Sequence, residues 1–149
     1  MPAHQPHEHW LVRAWRAFDG WFFGPTRPER PRTRGQEAED LAARYLQAKS
    51  YEVLERNWKW HRGELDLICR LGERLVIVEV KSARADETYH AADRAGPAKR
   101  RQVRKLAEEF MKQRRWLGRP VQMDVVEVTF AEDGTPSIRH LEAVSDWRR

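Results

Sequence analysis

The chain contains 149 residues and has a formal net charge of +5; 40% of its residues are hydrophobic and 34% are charged. This length supports one modest hydrophobic core and is too short for two ordinary domains. The only cysteine, Cys69, excludes an internal disulfide and a cysteine-based zinc cluster, and no apolar run is long enough to span a bilayer. We therefore expect a cytoplasmic protein without an integral membrane segment.

Residues 1–33 differ from the rest of the chain and are predicted to form a leader. Aromatic residues recur at helical spacing between Trp10 and Trp21, which predicts a short amphipathic helix. Prolines among arginines over 25–31 are typical of a linker, so we place the domain at 34–149. We expect the leader to pack on its own domain, on a second copy in a homodimer or on a protein partner. Attachment to an anionic lipid surface is the alternative.

The remaining residues predict two helices and five strands. Thr33 and Gln36 fit a capping box, and the apolar stripe that follows predicts a first helix to about Lys49. The later elements are, in chain order, a strand over 51–57, a connection over 58–62, strands over 64–70 and 75–81, a polar loop over 82–96, a helix from Pro97, a strand over 121–130 and a last strand near 138–141. This order, αβββαββ, predicts an α/β fold with a mixed sheet flanked by helices.

The segment 63–81 is predicted to form a β-hairpin. A two-residue loop at Gly72 and Glu73 is of the II′ type and makes Leu71 pair with Arg74. Side chains alternate between the two faces of a strand, so one face of the hairpin has a core pattern. Its members are Leu65, Leu67, Cys69, Val76, Val78 and Val80.

The other face of the hairpin collects the acids. The same register places Asp66 opposite Glu79 and Glu64 opposite Lys81. Facing carboxylates repel each other, and a hard divalent cation with oxygen ligands would compensate them. With Lys81 available to hold a water or meet a phosphate, the arrangement suits phosphodiester hydrolysis with Mg²⁺ or Mn²⁺. The alternatives are a plain salt bridge between Glu64 and Lys81, with Glu79 on a solvated face, or a shifted register that separates the acids.

These residues form an ordered set that resembles the YraN-like family of bacterial proteins. That family is placed by fold in the PD-(D/E)XK nuclease superfamily, together with archaeal Holliday-junction resolvases. The resemblance covers roughly residues 34–128 and implies a single restriction-endonuclease-like domain. It rests on Gly35 with Glu39-Asp40-Leu41-Ala42 and Tyr45-Leu46, on Asn57-Trp58, on Gly63 to Ile68, on Val78 to Lys81, and on Met123 to Val126.

The resemblance also implies roles for individual residues. Asp66, Glu79 and Lys81 match the metal-binding and catalytic trio, and Glu39 matches the helical acid that approaches the metal. Glu64 is a further candidate. The proline that often precedes the first acid is Leu65 here, and we interpret Asp124 in the late segment as structural.

The basic residues predict a nucleic-acid surface. An excess of positive charge favours a polyanionic partner, and their density on one helix favours phosphate contacts over base reading. A solvated helix face with local ion pairs is the alternative. Near the acids, the stretch 58–62 could stack on an unpaired base, although burial of its tryptophans is the more ordinary role. The candidates for phosphate contacts are Lys99, Arg100, Arg101, Arg104 and Lys105, with Arg62 beside the acids.

Three functions follow from these patterns. The leading hypothesis is a magnesium- or manganese-dependent endonuclease-like protein acting on DNA, with branched or damaged DNA as candidate substrates. The second is a nucleic-acid-binding module that keeps the fold without turnover. The third is a scaffold whose aromatic leader docks a partner.

Overall fold

The computed structural model describes residues 31–85 and 96–147. The predicted leader helix, most of the linker that follows it and most of the predicted loop over 82–96 lie outside the described residues. No helix within the described ranges has both the length and the apolar character needed to cross a membrane.

Two helices and five strands follow each other in the predicted order αβββαββ. They are α1 (Arg34–Ala48), β1 (Glu52–Trp60), β2 (Gly63–Leu71), β3 (Arg74–Arg84), α2 (Pro97–Gln113), β4 (Val121–Phe130) and β5 (Pro136–Trp147). The strands form one sheet in the order β1-β2-β3-β4-β5. Only β3 and β4 pair in parallel, and α2 lies in the connection between them. The α/β fold with a mixed sheet is thereby confirmed.

Both helices begin where the sequence predicts. The hydroxyl of Thr33 accepts a hydrogen bond from the backbone N–H of Gln36, whose side-chain oxygen accepts one from the N–H of Thr33. This reciprocal pair is the predicted capping box. Pro97 occupies the first position of α2, where the missing N–H has no helical partner to lose.

The helices bury their apolar stripes on opposite faces of the sheet. The α1 side includes Ala38, Ala42, Leu46, Leu67, Cys69, Val76 and Val78. The α2 side includes Leu65, Ile68, Leu75, Ile77, Val103, Leu106, Ala107, Phe110 and Met111. The central strands are therefore covered on both faces, as a mixed sheet with a crossover helix requires.

The predicted connection over 58–62 is wrong, because β1 continues to Trp60 and only His61 and Arg62 form the turn. Trp58 pairs with Leu65 of β2, and its ring packs edge-on against Phe110 at a centroid distance of 5.5 Å. This contact with α2 holds the basic, aromatic end of β1 in the sheet. The last strand is also longer than predicted and reaches from residue 136 to residue 147.

The hairpin register is correct near its turn. Leu71 pairs with Arg74, and the ladder continues to Leu67 opposite Val78. Gly72 has a φ of 58°, as the first central position of a II′ turn requires, and Glu73 has no positive φ.

The register does not continue into the acidic end of the hairpin. The ladder stops at Leu67, so Asp66 and Glu64 are not paired with the residues predicted for them. Leu65 packs on the α2 side with Ile68, whereas Leu67 packs on the α1 side, so the alternation of faces breaks at Asp66. On β1, Asn57 has a φ of 52° and is skipped in the pairing with β2. Both strands therefore bend at the same level.

Gly63 is the point where this hairpin meets α2, and its replacement tests the close approach. A Cβ atom at Gly63 would lie 2.7 Å from both Cδ atoms of Leu106, so Leu106 or the helix must shift. Gly63→Ala should lower the free energy of unfolding by about 1–3 kcal/mol, as overpacking does. Urea denaturation measures the loss.

Gly35→Ala is the matched control. Gly35 is exposed near the start of α1, and the nearest atom to its added Cβ would be 3.9 Å away. This change should be neutral or should stabilise by up to about 1 kcal/mol, because alanine favours the helix. Equal effects of the two substitutions would contradict the packing described for Gly63.

Candidate functional site

Asp66 lies where the β2–β3 ladder ends. Its side chain is partly buried, and its Oδ2 accepts a hydrogen bond of 2.8 Å from the backbone N–H of Val80. A side-chain oxygen thus occupies the place that a backbone carbonyl of β2 would take in a continued ladder. This bond satisfies a backbone donor of the central strand and fixes Asp66 beside Glu79.

Glu79 is 8% exposed and carries two ion pairs. Its Oε1 lies 3.0 Å from the ammonium of Lys81, two residues along β3. Its Oε2 lies 3.1 Å from the ammonium of Lys99, which comes from the first turns of α2. A nearly buried carboxylate requires such compensation. We call Asp66, Glu79 and the nearby Glu39 the acidic cluster. The structure therefore brings Lys99, predicted only as a phosphate contact, into contact with this cluster.

Glu39 approaches the same cluster from α1. Its Oε2 accepts a hydrogen bond of 3.0 Å from the side-chain amide of Asn57. The left-handed backbone at Asn57 is tolerated by this residue type, and it places the amide where it holds Glu39. The charge of Glu39 acts on Asp66, so the acid predicted on α1 lies near the two acids of the hairpin.

The pKa of Asp66 is raised from 3.8 to about 6. Burial is the largest cause, because it disfavours the ionised carboxylate, and the negative charges of Glu79 and Glu39 add to it. The Val80 N–H and Lys99 oppose the rise. Ionising Asp66 at neutral pH therefore costs the folded protein free energy, which a cation at this position would recover.

The donor chemistry of the cluster fits a hard divalent cation, but the side chains do not form a closed cage. Asp66 and Glu79 offer the carboxylate oxygens that Mg²⁺ and Mn²⁺ prefer. Among residues 31–85 and 96–147, no three acidic, histidine or cysteine side chains are grouped closely enough to hold a metal. The two lysines that contact Glu79 supply the positive charge in this arrangement.

Glu64 lies apart from the acidic cluster. Its side chain is 44% exposed, and its carboxylate faces the ammonium of Lys59 on β1 at 3.6 Å. The predicted pairing of Glu64 with Lys81 fails because β2 has already left β3 at this level.

Asp124 is completely buried in β4 and is fully hydrogen-bonded. It accepts bonds from the side chains of Gln122 and Tyr51 and from the backbone N–H of Ala143, and it lies 2.8 Å from Nε2 of His140. Burial and the charge of Asp124 raise the pKa of Tyr51 above its usual range. This network joins β4 to the bulged edge strand β5, which supports the structural interpretation of Asp124.

The basic residues of α2 lie away from its buried stripe, as predicted. Arg100, Arg101, Arg104 and Lys105 are exposed, and Arg62 is exposed in the β1–β2 turn. Arg104 pairs with Glu108 at 3.2 Å, so local pairing accounts for part of the surface. Within the described ranges, Arg101 and Lys105 have no ion-pair partner.

Two residues of the cluster were missed by sequence reasoning as parts of the site. The side chain of Lys99 reaches Glu79 because of how α2 crosses the sheet, and spacing along the helix does not reveal this. The bend at Asn57 had only a weak indication in the sequence, namely that asparagine tolerates a left-handed backbone better than most residues other than glycine.

Replacing Asp66 with asparagine should raise the stability of the metal-free protein. The amide side chain keeps an oxygen acceptor for the Val80 N–H but carries no charge beside Glu79 and Glu39. Because the folded pKa of about 6 lies above the ordinary 3.8, wild type loses stability as the pH rises from about 4 through 6. Asp66→Asn should therefore be more stable than wild type at pH values above 6, and the difference should shrink towards pH 4. Urea denaturation with a chelator present, at several pH values, measures it.

Asp40→Asn is the matched control on α1. Asp40 pairs with Arg32 at 2.6 Å and also with Arg56, so its loss should destabilise by up to about 1 kcal/mol at the same pH. A loss of stability at neutral pH in Asp66→Asn as well would show that the acidic cluster carries no electrostatic strain.

The comparisons with known proteins match the part of the chain that carries this cluster. The family model described as "Uncharacterised protein family UPF0102" matches residues 38–128. A UPF0102 protein of Anaeromyxobacter dehalogenans is 39% identical over 112 residues, covering 75% of this chain and 83% of its own. One from Streptomyces griseus is 39% identical over 114 residues, covering 74% and 94%, and one from Pseudarthrobacter chlorophenolicus is 35% identical over 115 residues, covering 76% and 86%.

The match begins in α1, ends in β4 and includes every acid of the cluster. The resemblance to the YraN-like family is confirmed by it. This chain belongs to the UPF0102 family, whose fold is that of the PD-(D/E)XK nucleases.

Proposed function

We propose that this protein is a metal-dependent endonuclease-like enzyme that hydrolyses phosphodiester bonds in DNA, with branched or damaged DNA as candidate substrates. The observation that carries the proposal is the placement of Asp66 against Glu79 at the end of the hairpin ladder, next to Lys81. Burial in this cluster disfavours the ionised form of Asp66 and raises its pKa. Acids with a perturbed pKa are typical of functional sites. Family membership adds the fold in which such a cluster is expected.

Asp66 and Glu79 would hold Mg²⁺ or Mn²⁺, and Glu39 would approach from α1. When bound there, the ion would act as a Lewis acid on the phosphodiester and stabilise its developing negative charge. Its positive charge would also replace the compensation that Glu79 receives from the two lysines.

Lys81 supplies the second half of the chemistry. Its ammonium is compact, about one third exposed, and anchored by Glu79. Once the carboxylate contacts a cation, the ammonium can hold a water molecule or contact the transition-state phosphate. Lys99 has the same exposure and the same anchor, so it can follow Lys81 to a phosphate.

The exposed bases of α2 favour DNA over an uncharged substrate. Three acids near one another repel a phosphodiester, and this repulsion must be offset for a polyanion to approach. Arg101 and Lys105 lie on the same helix as Lys99 and are exposed, so their charges attract the backbone towards the cluster.

A nucleic-acid-binding module without turnover is the second candidate. The specific observation in its favour is that the Glu79 carboxylate forms ion pairs with both Lys81 and Lys99. In that case the acids serve only to hold the strand ends and α2 together.

Cleavage assays with matched variants test the enzyme. Supercoiled plasmid, single-stranded DNA and a four-way junction would be incubated with Mg²⁺ or Mn²⁺. Asp66→Asn, Glu79→Gln and Lys81→Met should each lower the cleavage rate by at least about 100-fold, because the first two each remove a carboxylate that would hold the metal ion and the third removes the ammonium that would contact the phosphate. Glu64→Gln, which lies outside the cluster, and Asp133→Asn, in the exposed turn before β5, are the controls and should cleave like wild type.

Metal-dependent cleavage that survives in Asp66→Asn and Glu79→Gln would mean a contaminating nuclease or another site. The absence of cleavage on every substrate, with DNA binding equal in wild type and variants, would contradict the enzyme and support the nucleic-acid-binding module.

The basic surface of α2 has its own test, which does not need cleavage. Replacing Arg101 and Lys105 by glutamine should weaken DNA binding. The slope of log affinity against log salt concentration is negative, and its magnitude should fall by about 2, since each lost phosphate contact removes about 0.9. Fluorescence anisotropy across a salt series in a chelator measures the slope. Arg139→Gln, on the edge strand β5, should leave it unchanged. An unchanged slope in the double variant would assign DNA binding to another surface.

A further inference from the structure

Two tryptophans at the end of β1 form a stacked pair that opens to solvent. The rings of Trp58 and Trp60 lie 6.3 Å apart between centroids, with only 6° between their planes. Trp58 is also held edge-on by Phe110 of α2. The inner ring is therefore fixed by the core, and the outer ring is held flat against it.

Trp60 is unusually exposed for a residue so firmly placed. Its exposed fraction is 39%, and it is one of three large hydrophobic residues with comparable exposure in the described part of the chain. The ring of His61 packs edge-on against it at 4.9 Å. A large aromatic side chain that is both ordered and exposed can bind a flat ligand with little loss of conformational entropy.

A cation lies close to Trp60 in sequence and in the fold, because the turn that follows β1 carries Arg62. Lys59, between the two tryptophans, projects to the other face of the strand and pairs with Glu64 at 3.6 Å. Arg62 is exposed and has no ion-pair partner among the described residues. A flat aromatic surface with a cation beside it fits a nucleobase with its phosphate better than it fits an aliphatic or cationic partner.

The Trp58–Trp60 pair and Glu79 lie on the same side of the sheet, the side that α2 covers. Trp60 pairs with Gly63, and Asp66 follows three residues later on β2. Three residues of a strand span about 10 Å, which equals the rise of about three stacked nucleotides. Trp58 contacts α2 through Phe110, and Glu79 contacts α2 through Lys99, so both sites lie along one helix, with these two contacts about 16 Å apart.

We propose that Trp60 is a stacking surface for an unpaired nucleobase, so that the DNA strand bound at the cluster is single-stranded or distorted within a few nucleotides of the acids. Bases in an intact duplex are stacked on their neighbours and present no free face to the ring. Gaps, branches and single strands do. The inference deepens the proposed function by naming the feature that the substrate must contain, and it rests on that function only for the role of the acids.

Binding assays with Trp60 variants test the proposal without cleavage. A labelled oligothymidylate and a blunt duplex of the same length would be titrated in a chelator and followed by fluorescence anisotropy. Trp60→Leu should weaken single-strand binding by about tenfold, the loss of one base stack, and should leave duplex binding within about twofold of wild type. Trp60→Tyr keeps an aromatic face and should retain most of the affinity. Leu117→Ala, at a 58% exposed apolar residue elsewhere, is the control and should change neither.

Three results would overturn the stacking surface: no loss in Trp60→Leu, an equal loss on single strand and duplex, or a loss in Trp60→Tyr as large as in Trp60→Leu. A second measurement uses only the wild type. Ultraviolet cross-linking to a bromouracil-substituted single strand should give adducts on residues 58–62 by mass spectrometry, and adducts confined to other segments would contradict the proposal. Because the titration in a chelator requires no metal, a protein that binds unpaired bases but never cleaves would refute the proposed enzyme and keep this inference.

Discussion

The site depends on one hydrogen bond, from the backbone N–H of Val80 to the carboxylate of Asp66. β3 is the central strand of the sheet, and it pairs with β4 from Leu75 to Arg84 but with β2 only as far as Val78. Beyond that point a side chain replaces the backbone as the acceptor. The strands can then separate without leaving a buried donor unpaired, and the gap between them is where the acids collect.

The same geometry explains why the acids interfere with one another. Asp66 is fixed by the Val80 bond, Glu79 by two lysines and Glu39 by Asn57, so none of them can turn away to relieve the repulsion. Burial is the largest cause of the raised pKa of Asp66, and the negative charges of Glu79 and Glu39 add to it. A neutral residue in place of Asp66 would fold as well or better. Electrostatic repulsion of this kind is typically retained where the arrangement serves a ligand.

The features that could be predicted from the sequence are those that depend on residues close together in the chain. The capping box at Thr33, the turn at Gly72 and both apolar helix stripes were all predictable, because each depends on residues a few positions apart. The break in alternation at Asp66 was not predictable, because it arises from a bend that β1 and β2 share at the level of Asn57, whose backbone is left-handed. The contact of Lys99 with Glu79 was hidden for a similar reason. It depends on how α2 crosses the sheet, which is set by packing among residues distant in sequence.

Helix α2 links the three parts of the site. Its Phe110 supports Trp58, its Lys99 neutralises Glu79, and its exposed face carries Arg101 and Lys105. Under the proposed function, a DNA phosphate on this helix competes with Glu79 for Lys99. A carboxylate that has lost an ammonium partner attracts a divalent cation more strongly, and a cation at Glu79 in turn releases Lys99 for phosphate. By this reciprocity, DNA and metal should each increase the affinity of the protein for the other.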